Sequence, residues 1–255
     1  MHYQQILLNI NRHGIAHLRL NVPDKHNAIS AQMISELHSA ANELDCATDV
    51  IAVILSGTGK SFCAGADLSW MQEQIIADDK KKFSEAQKLS NMLSAFYHLS
   101  KPVIGQIHGN VYGGGLGLVS ICDIAIAADD TQFCFSETRL GLIPATIGPY
   151  VIARMGEAMA RRVFMSARVF DAKEAKELNL IAKTVSPNQL ATAIEYETKP
   201  YLLASAGAVQ AAKSLLIKLA SQIDAQAVKQ SIHALVEIWK SKDAQIRVKR
   251  FLDKK

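Results

Sequence analysis

Cysteine is sparse, and its spacing excludes more than its number does. Cys46, Cys63, Cys122 and Cys134 are scattered through 255 residues with no Cys-x-x-Cys pair, so neither a zinc site nor a disulfide framework is expected. They read as reduced, mostly buried thiols of a cytoplasmic protein. Cys63 reads as a small apolar filler, because no histidine stands beside it as a base. Other signatures are missing too. There is no Gly-x-Ser-x-Gly nucleophile elbow, no His-Glu-x-x-His metal helix and no phosphate-cradling Gly-x-x-x-x-Gly-Lys-Ser/Thr, so none of those three chemistries is expected. The opening Met1-His2-Tyr3-Gln4-Gln5 lacks the basic stretch and apolar run of a secretory signal. The most apolar long stretch, 111–128, holds Asp123 and several glycines, and reads as a buried helix and strand, with no membrane span. Charge of one sign is also in short supply. The net charge is +4, and no recognition motif accompanies it, so nucleic acid is not expected. No metal and no redox cofactor is indicated.

What is present is apolar and alternates between two kinds of element. Hydrophobic residues make up 49% of the chain and charged residues 20%, enough for a large core. Residues 3–10 and 15–21 read as paired strands turning at Arg12-His13-Gly14. Ser30 offers an N-cap for a helix reaching Leu44, and 50–55 is a strand whose unbroken apolar character suits a sheet covered on both faces. A helix from about Ala66, an amphipathic helix over 79–99, a strand at 103–107, a helix at 114–121, and strands at 124–128 and 132–136 follow. This strand–turn–helix order predicts an α/β core with parallel pairing. No internal repeat is visible. Beyond Gly148 the pattern is helical, with short helices at 151–155, 158–166 and 172–178, a longer one from Pro187, and others at 207–220 and 225–242. A soft boundary at Lys199-Pro200 divides a core (1–198) from a helical tail (199–255). That tail ends in a basic helix and has apolar positions to spare for a neighbouring subunit.

Two glycine-rich turns carry the strongest chemical signal. Ser61-Phe62-Cys63-Ala64-Gly65-Ala66-Asp67-Leu68 follows one apolar strand, and His108-Gly109-Asn110-Val111-Tyr112-Gly113-Gly114-Gly115-Leu116-Gly117 follows another. Glycine admits bare backbone close to a ligand, and the first turn of a helix leaves amides unpaired. Two such ends, converging, would hold one oxygen between two N–H donors and stabilise charge developing on a carbonyl. A third segment, Phe133 to Pro144, places Glu137 just past a short apolar strand. Burial there would raise its pKa towards neutrality, as proton transfer requires. A Glu137–Arg139 surface pair is the alternative. His26 and His108 flank the turns and read as structural.

Together with Pro23-Asp24-Lys25-His26-Asn27-Ala28, these segments occur in the order seen in the enoyl-CoA hydratase/isomerase (crotonase) family, which the chain resembles over nearly its whole length. The resemblance implies a spiral of ββα units with a C-terminal helical region, assembly as trimers or hexamers, and an acyl-CoA thioester as substrate, coenzyme A being part of that substrate. It implies that Ala64 and Gly114, with Gly113 beside them, offer amides to the thioester oxygen. Ala64, Gly65, Ala66, Asp67 and Leu68 would border the adenine, and Lys25 and His26 would lie near the CoA arm. Lys254 and Lys255 would approach the ADP phosphates. The chain departs from the family pattern once. Typical hydratases carry two glutamates, and the first falls here on Gly117, leaving Glu137 alone. That single carboxylate also resembles the pattern of enoyl-CoA isomerases. Two further segments, 62–71 and 141–151, look like the bacterial branch of methylglutaconyl-CoA and carboxygeranoyl-CoA hydratases. This likeness nominates Arg139 and Arg154 for a distal carboxylate, and Trp70, Met71 and Tyr150 for the acyl pocket. Three readings remain: a hydratase, an isomerase using the same enolate, and an acyl-CoA-binding protein without turnover.

Overall fold

Alternate side chains along 52–55 enter opposite cores, which explains the unbroken apolar run. Val53 and Leu55 join the main core, while Ala52 and Ile54 pack against Leu190, Ala193 and Ile194 on the other face. A strand buried on both sides has no polar face to show. In the computed structural model, which describes residues 3–220 and 225–253, the order is β1 (Ile6–Ile10), β2 (Ile15–Leu20), α1 (Ala31–Cys46), β3 (Ala52–Gly57), β4 (Ser61–Cys63), α2 (Leu68–Ile76) and α3 (Asp79–Tyr97). Then come β5 (Val103–Ile107), β6 (Asn110–Tyr112), α4 (Gly114–Ser120), β7 (Ile124–Ala128), β8 (Gln132–Cys134), α5 (Gly148–Met155) and α6 (Glu157–Ala160). The described chain closes with β9 (Phe170–Asp171), α7 (Ala172–Glu177), β10 (Lys183–Val185), α8 (Leu190–Thr198), α9 (Ala206–Leu219), α10 (Ala225–Trp239) and α11 (Lys242–Leu252).

The strands form two sheets, ordered β1-β2-β3-β5-β7-β10 and β4-β6-β8-β9. Pairing is parallel except for β1–β2 and β8–β9. Each of the pairs β3/β4, β5/β6 and β7/β8 gives its first strand to the large sheet and its second to the small one. The chain thus winds as a spiral of ββα turns, a structural repeat that the sequence does not display. The glycine segments expected as turns contain β4 and β6, three residues each, too short to register as periodicity.

Local chemistry fixes the element ends. Ser30 Oγ accepts the Met33 amide at the start of α1. Asp78 does the same for Lys81 at α3. The helix expected over 158–166 stops after Ala160, and the one expected from Pro187 begins with a single 3-10 turn before α8. The tail divides. The face of α9 and the turn before it leave Leu203, Leu215, Leu216 and Leu219 exposed. By contrast, α10 and α11 fold back on their own chain, where Trp239, Ala244 and Val248 pack with Met71 and Leu142. Lys254 and Lys255 lie outside the described residues.

Candidate active site

The two glycine segments meet because β4 and β6 are parallel neighbours. The loop ahead of α1 holds the first segment in place. Asn27, fully buried with φ 54°, accepts the Val22 amide through Oδ1 and donates through Nδ2 to the Thr58 and Ser61 carbonyls at 2.8 Å each. Sequence reasoning passed over this residue as a functional support, although its place in the Pro23–Ala28 motif was visible. His26 adds a contact between its Nδ1 and Ser61 Oγ at 3.1 Å, and His108 Nε2 lies 3.0 Å from the Gly59 carbonyl. Both contacts tie the loops around the first segment to one another.

Asp67 starts α2. Its Oδ1 accepts the Ser69 and Trp70 amides, and its Oδ2 accepts Lys25 Nζ at 2.9 Å. Burial alone would raise this carboxyl, but the Lys25 ammonium and the two amides hold it below the usual range.

Hydrogen bonding decides which amide of the first segment is available. The Ala64 amide donates to the His26 carbonyl at 3.0 Å, so the expectation that Ala64 faces a ligand is corrected. The Ile29 amide donates to Gly65 O, and the Asp67 amide donates to Ile29 O. This parallel bridge turns the Ala66 amide between them to the opposite side. Neither Ala66 N–H nor Gly114 N–H has a backbone acceptor among the described residues. Gly114 is the first residue of α4, where no intrahelical acceptor exists. A Cβ added to Gly113 (φ 49°) would stand 3.5 Å from Glu137 Oε1, 3.5 Å from Ser136 Oγ and 3.6 Å from Gly65 Cα. The two segments and the acid therefore converge on one point.

Around that point lies a cleft of about 940 Å³, its open mouth included. Ala64, Gly65, Ala66, Gly113, Gly114, Ser136 and Glu137 lie on its wall. Trp70, Met71, Leu142, Leu235, Trp239 and Phe251 supply an apolar surface, the last three from α10 and α11. Among the described lining residues Glu137 is the only charged one. Burial pushes its carboxyl up to about 7, against a smaller opposing effect of its own backbone amide, and its Oε2 has no partner among the described residues. Arg139, expected as a possible surface partner for it, instead donates to the Ala167 carbonyl.

Several nominated residues lie elsewhere. Tyr150 is in the core, donating to the Ser90 carbonyl and meeting Tyr97 edge-on. Lys25, His26, Asp67 and Leu68, expected near the CoA arm and the adenine, adjoin the first segment and are not among the residues of this cleft wall. Arg154 donates to the Leu180 and Asp123 carbonyls. Cys63 is buried and its thiol is pushed up to about 12 by desolvation, the opposite of an activated nucleophile. At Gly117 an added Cβ would lie 2.5 Å from Ile147 Cγ2. The space of the absent glutamate is filled with hydrocarbon.

Comparison with known proteins agrees with this architecture. The family model described as Enoyl-CoA hydratase/isomerase matches residues 11–255. The protein named "Probable enoyl-CoA hydratase echA8" in Mycobacterium bovis is 34% identical over 217 residues, covering 84% of this chain and 81% of that protein. The crystal structure of an enoyl-CoA hydratase from Shewanella pealeana superposes with a TM-score of 0.82 at 34% identity, covering 99% of this chain and 94% of that one. AtuE of Pseudomonas aeruginosa superposes equally well, with a TM-score of 0.82 at 28% identity over 99% of this chain and 98% of that one. By sequence, by topology and by the match along nearly its full length, the chain belongs to the enoyl-CoA hydratase/isomerase family.

Proposed function

We propose that the chain hydrates 2-enoyl-CoA thioesters whose acyl group is an uncharged hydrocarbon. The observation that carries the reading is the meeting of Gly65, Gly113 and the Glu137 carboxyl at one buried point. The thioester oxygen accepts the amides of Ala66 and Gly114, each worth roughly 3–4 kcal/mol once that oxygen carries the enolate charge. Glu137, poised near neutrality, is the one acid/base group. As carboxylate it takes a proton from water while the water oxygen bonds to Cβ and the π electrons move to the thioester oxygen. As carboxylic acid it then returns that proton to Cα, so the elements of water are added and Glu137 is regenerated.

The apolar lining supports a hydrocarbon acyl chain over a methylglutaconyl-type one. A distal carboxylate buried among Trp70, Met71 and Leu142 would lack a counter-ion, since neither Arg139 nor Arg154 lies on the cleft wall. Isomerisation is the second reading, favoured by the hydrocarbon that replaces a second carboxylate beside Gly117. Assembly as a trimer or hexamer belongs to the same proposal, with the exposed leucines of α9 and its preceding turn as the contact surface.

Incubation with 2-enoyl, 3-enoyl and 3-methylglutaconyl thioesters tests the reading. The expected outcome is a 3-hydroxyacyl product from the 2-enoyl thioesters, with kcat/KM about 100-fold or more lower for 3-methylglutaconyl-CoA. A shifted double bond as the sole product selects the isomerase, and no turnover of any of the three overturns both.

A further inference from the structure

Six buried side-chain atoms have no hydrogen-bond partner among the described residues, and two of them belong to residues on the wall of the cleft. One is Glu137 Oε2. The other is Thr146 Oγ1, on a residue that is 5% exposed. Leaving a buried hydroxyl unpaired costs about 1–3 kcal/mol, and such an atom calls for a partner from outside the chain. The two atoms are not bonded to one another. Thr146 directly precedes Ile147, whose methyl occupies the space beside Gly117. Both residues lie on the cleft wall, so the one that bears the hydroxyl is the chain neighbour of the one that fills the space where a second carboxylate is missing. Ser136 is the other hydroxyl of the cleft, but it lies on Glu137's own side, against Gly113.

We infer that Thr146 binds the attacking water through its hydroxyl. This rests on the hydratase reading above. The water donates one hydrogen to the Glu137 carboxylate and the other to Thr146 Oγ1, which leaves an oxygen lone pair directed at Cβ. Thr146 gains and loses no proton in the cycle. Its part is to fix the orientation of the water, which a neutral hydroxyl does as well as a carboxylate. Glu137 alone carries the proton from water to Cα. The hydrocarbon beside Gly117 is then compatible with hydration, because the orienting group has moved from the helix α4 to the loop ahead of α5.

Two assays on Thr146→Val separate this from a structural role. Hydration of crotonyl-CoA is followed by loss of the conjugated enoyl absorbance. Exchange of the α-protons of butyryl-CoA in deuterium oxide is followed by mass spectrometry, and it requires the amides and Glu137 but no attacking water. The expected result is a loss of hydration of about 10- to 100-fold with exchange within about twofold of wild type, and recovery of hydration in Thr146→Ser. Thr146→Ala, which brings in no second methyl, is read in the same two assays and stands in if the valine variant fails to fold. Hydration unaffected in the hydroxyl-less variants, or hydration and exchange falling together, overturns the assignment. A wild-type enzyme that exchanges protons and shifts double bonds but adds no water overturns the hydratase reading itself, which is a distinguishable result.

Discussion

At the scale of single residues, Glu137 pays for its reactivity in stability. Its carboxyl is pushed up by desolvation, so ionising it disfavours the folded state. The sign follows from linkage. Below pH 4.5 the group is protonated whether the chain is folded or not, and it imposes no penalty. As pH rises from 4.5 to about 7, the unfolded chain loses the proton while the folded one keeps it. Stability falls through that window and levels off above it, by roughly 3 kcal/mol in all. Glu137→Gln removes the penalty. Thermal melts are expected to show the variant more stable than wild type at pH 8 and the two converging near pH 4. Its turnover is expected to fall roughly 100- to 10,000-fold. Equal melting differences at both pH values would show that Glu137 is not buried as described. How far this site was legible depended on the residue. Glu137 was readable because its strand, the apolar neighbours and the following Gly-Pro turn are local. Ala66 was not, because only the His26 carbonyl, 38 residues before Ala64, reveals that the Ala64 amide is already engaged. Thr146 was unreadable for a similar reason, since a lone threonine gains meaning only from the cleft it faces.

At the scale of elements, capping and close backbone approach hold the site in shape. Asp67 caps α2, and its own amide, donated to the Ile29 carbonyl, fixes the chain directly after Ala66. Asp67→Ala is expected to cost about 1–2 kcal/mol in a denaturant titration. Lys25→Ala is expected to cost less than about 0.5 kcal/mol, because the lysine is 59% exposed and its ion pair is screened. Equal costs would place the ion pair, and not the cap, in control. Elements of ordinary length were foreseeable from periodicity and caps, as the Ser30 start of α1 and the two-faced strand β3 illustrate. The three-residue strands β4 and β6 were not. They carry no pattern of their own and exist because each pairs with a neighbour in the second sheet. Tyr150 shows the converse error. The likeness of 141–151 to one bacterial branch suggested the pocket, yet the helix turns the ring towards α3.

For the whole molecule, the tail serves two ends. Helices α10 and α11 cover the cleft of their own chain, whereas α9 and the turn before it leave apolar side chains outward, with Leu203 of that turn 93% exposed. The proposed assembly rests on those exposed leucines, since large apolar side chains left outward on one element suit a contact surface. Light scattering at micromolar concentration is expected to give three or six times the 27.8 kDa of the chain, and Leu216→Lys is expected to lower that mass. A wild-type mass of one chain would remove the proposal. The spiral itself was expected from resemblance and not from repetition, because its successive turns share geometry without sharing residues.

Gly141 joins the turn that bears the acid to the last helix of the chain. Its φ is 72°, and a Cβ there would lie 2.9 Å from Ala244 Cα, so the turn that bears the acid touches α11 backbone to backbone. The dry surroundings that tune Glu137 are thus completed by a segment more than a hundred positions later in translation. A nascent chain emerging from the ribosome acquires its sheets, its amides and its carboxyl well before it acquires a competent proton donor.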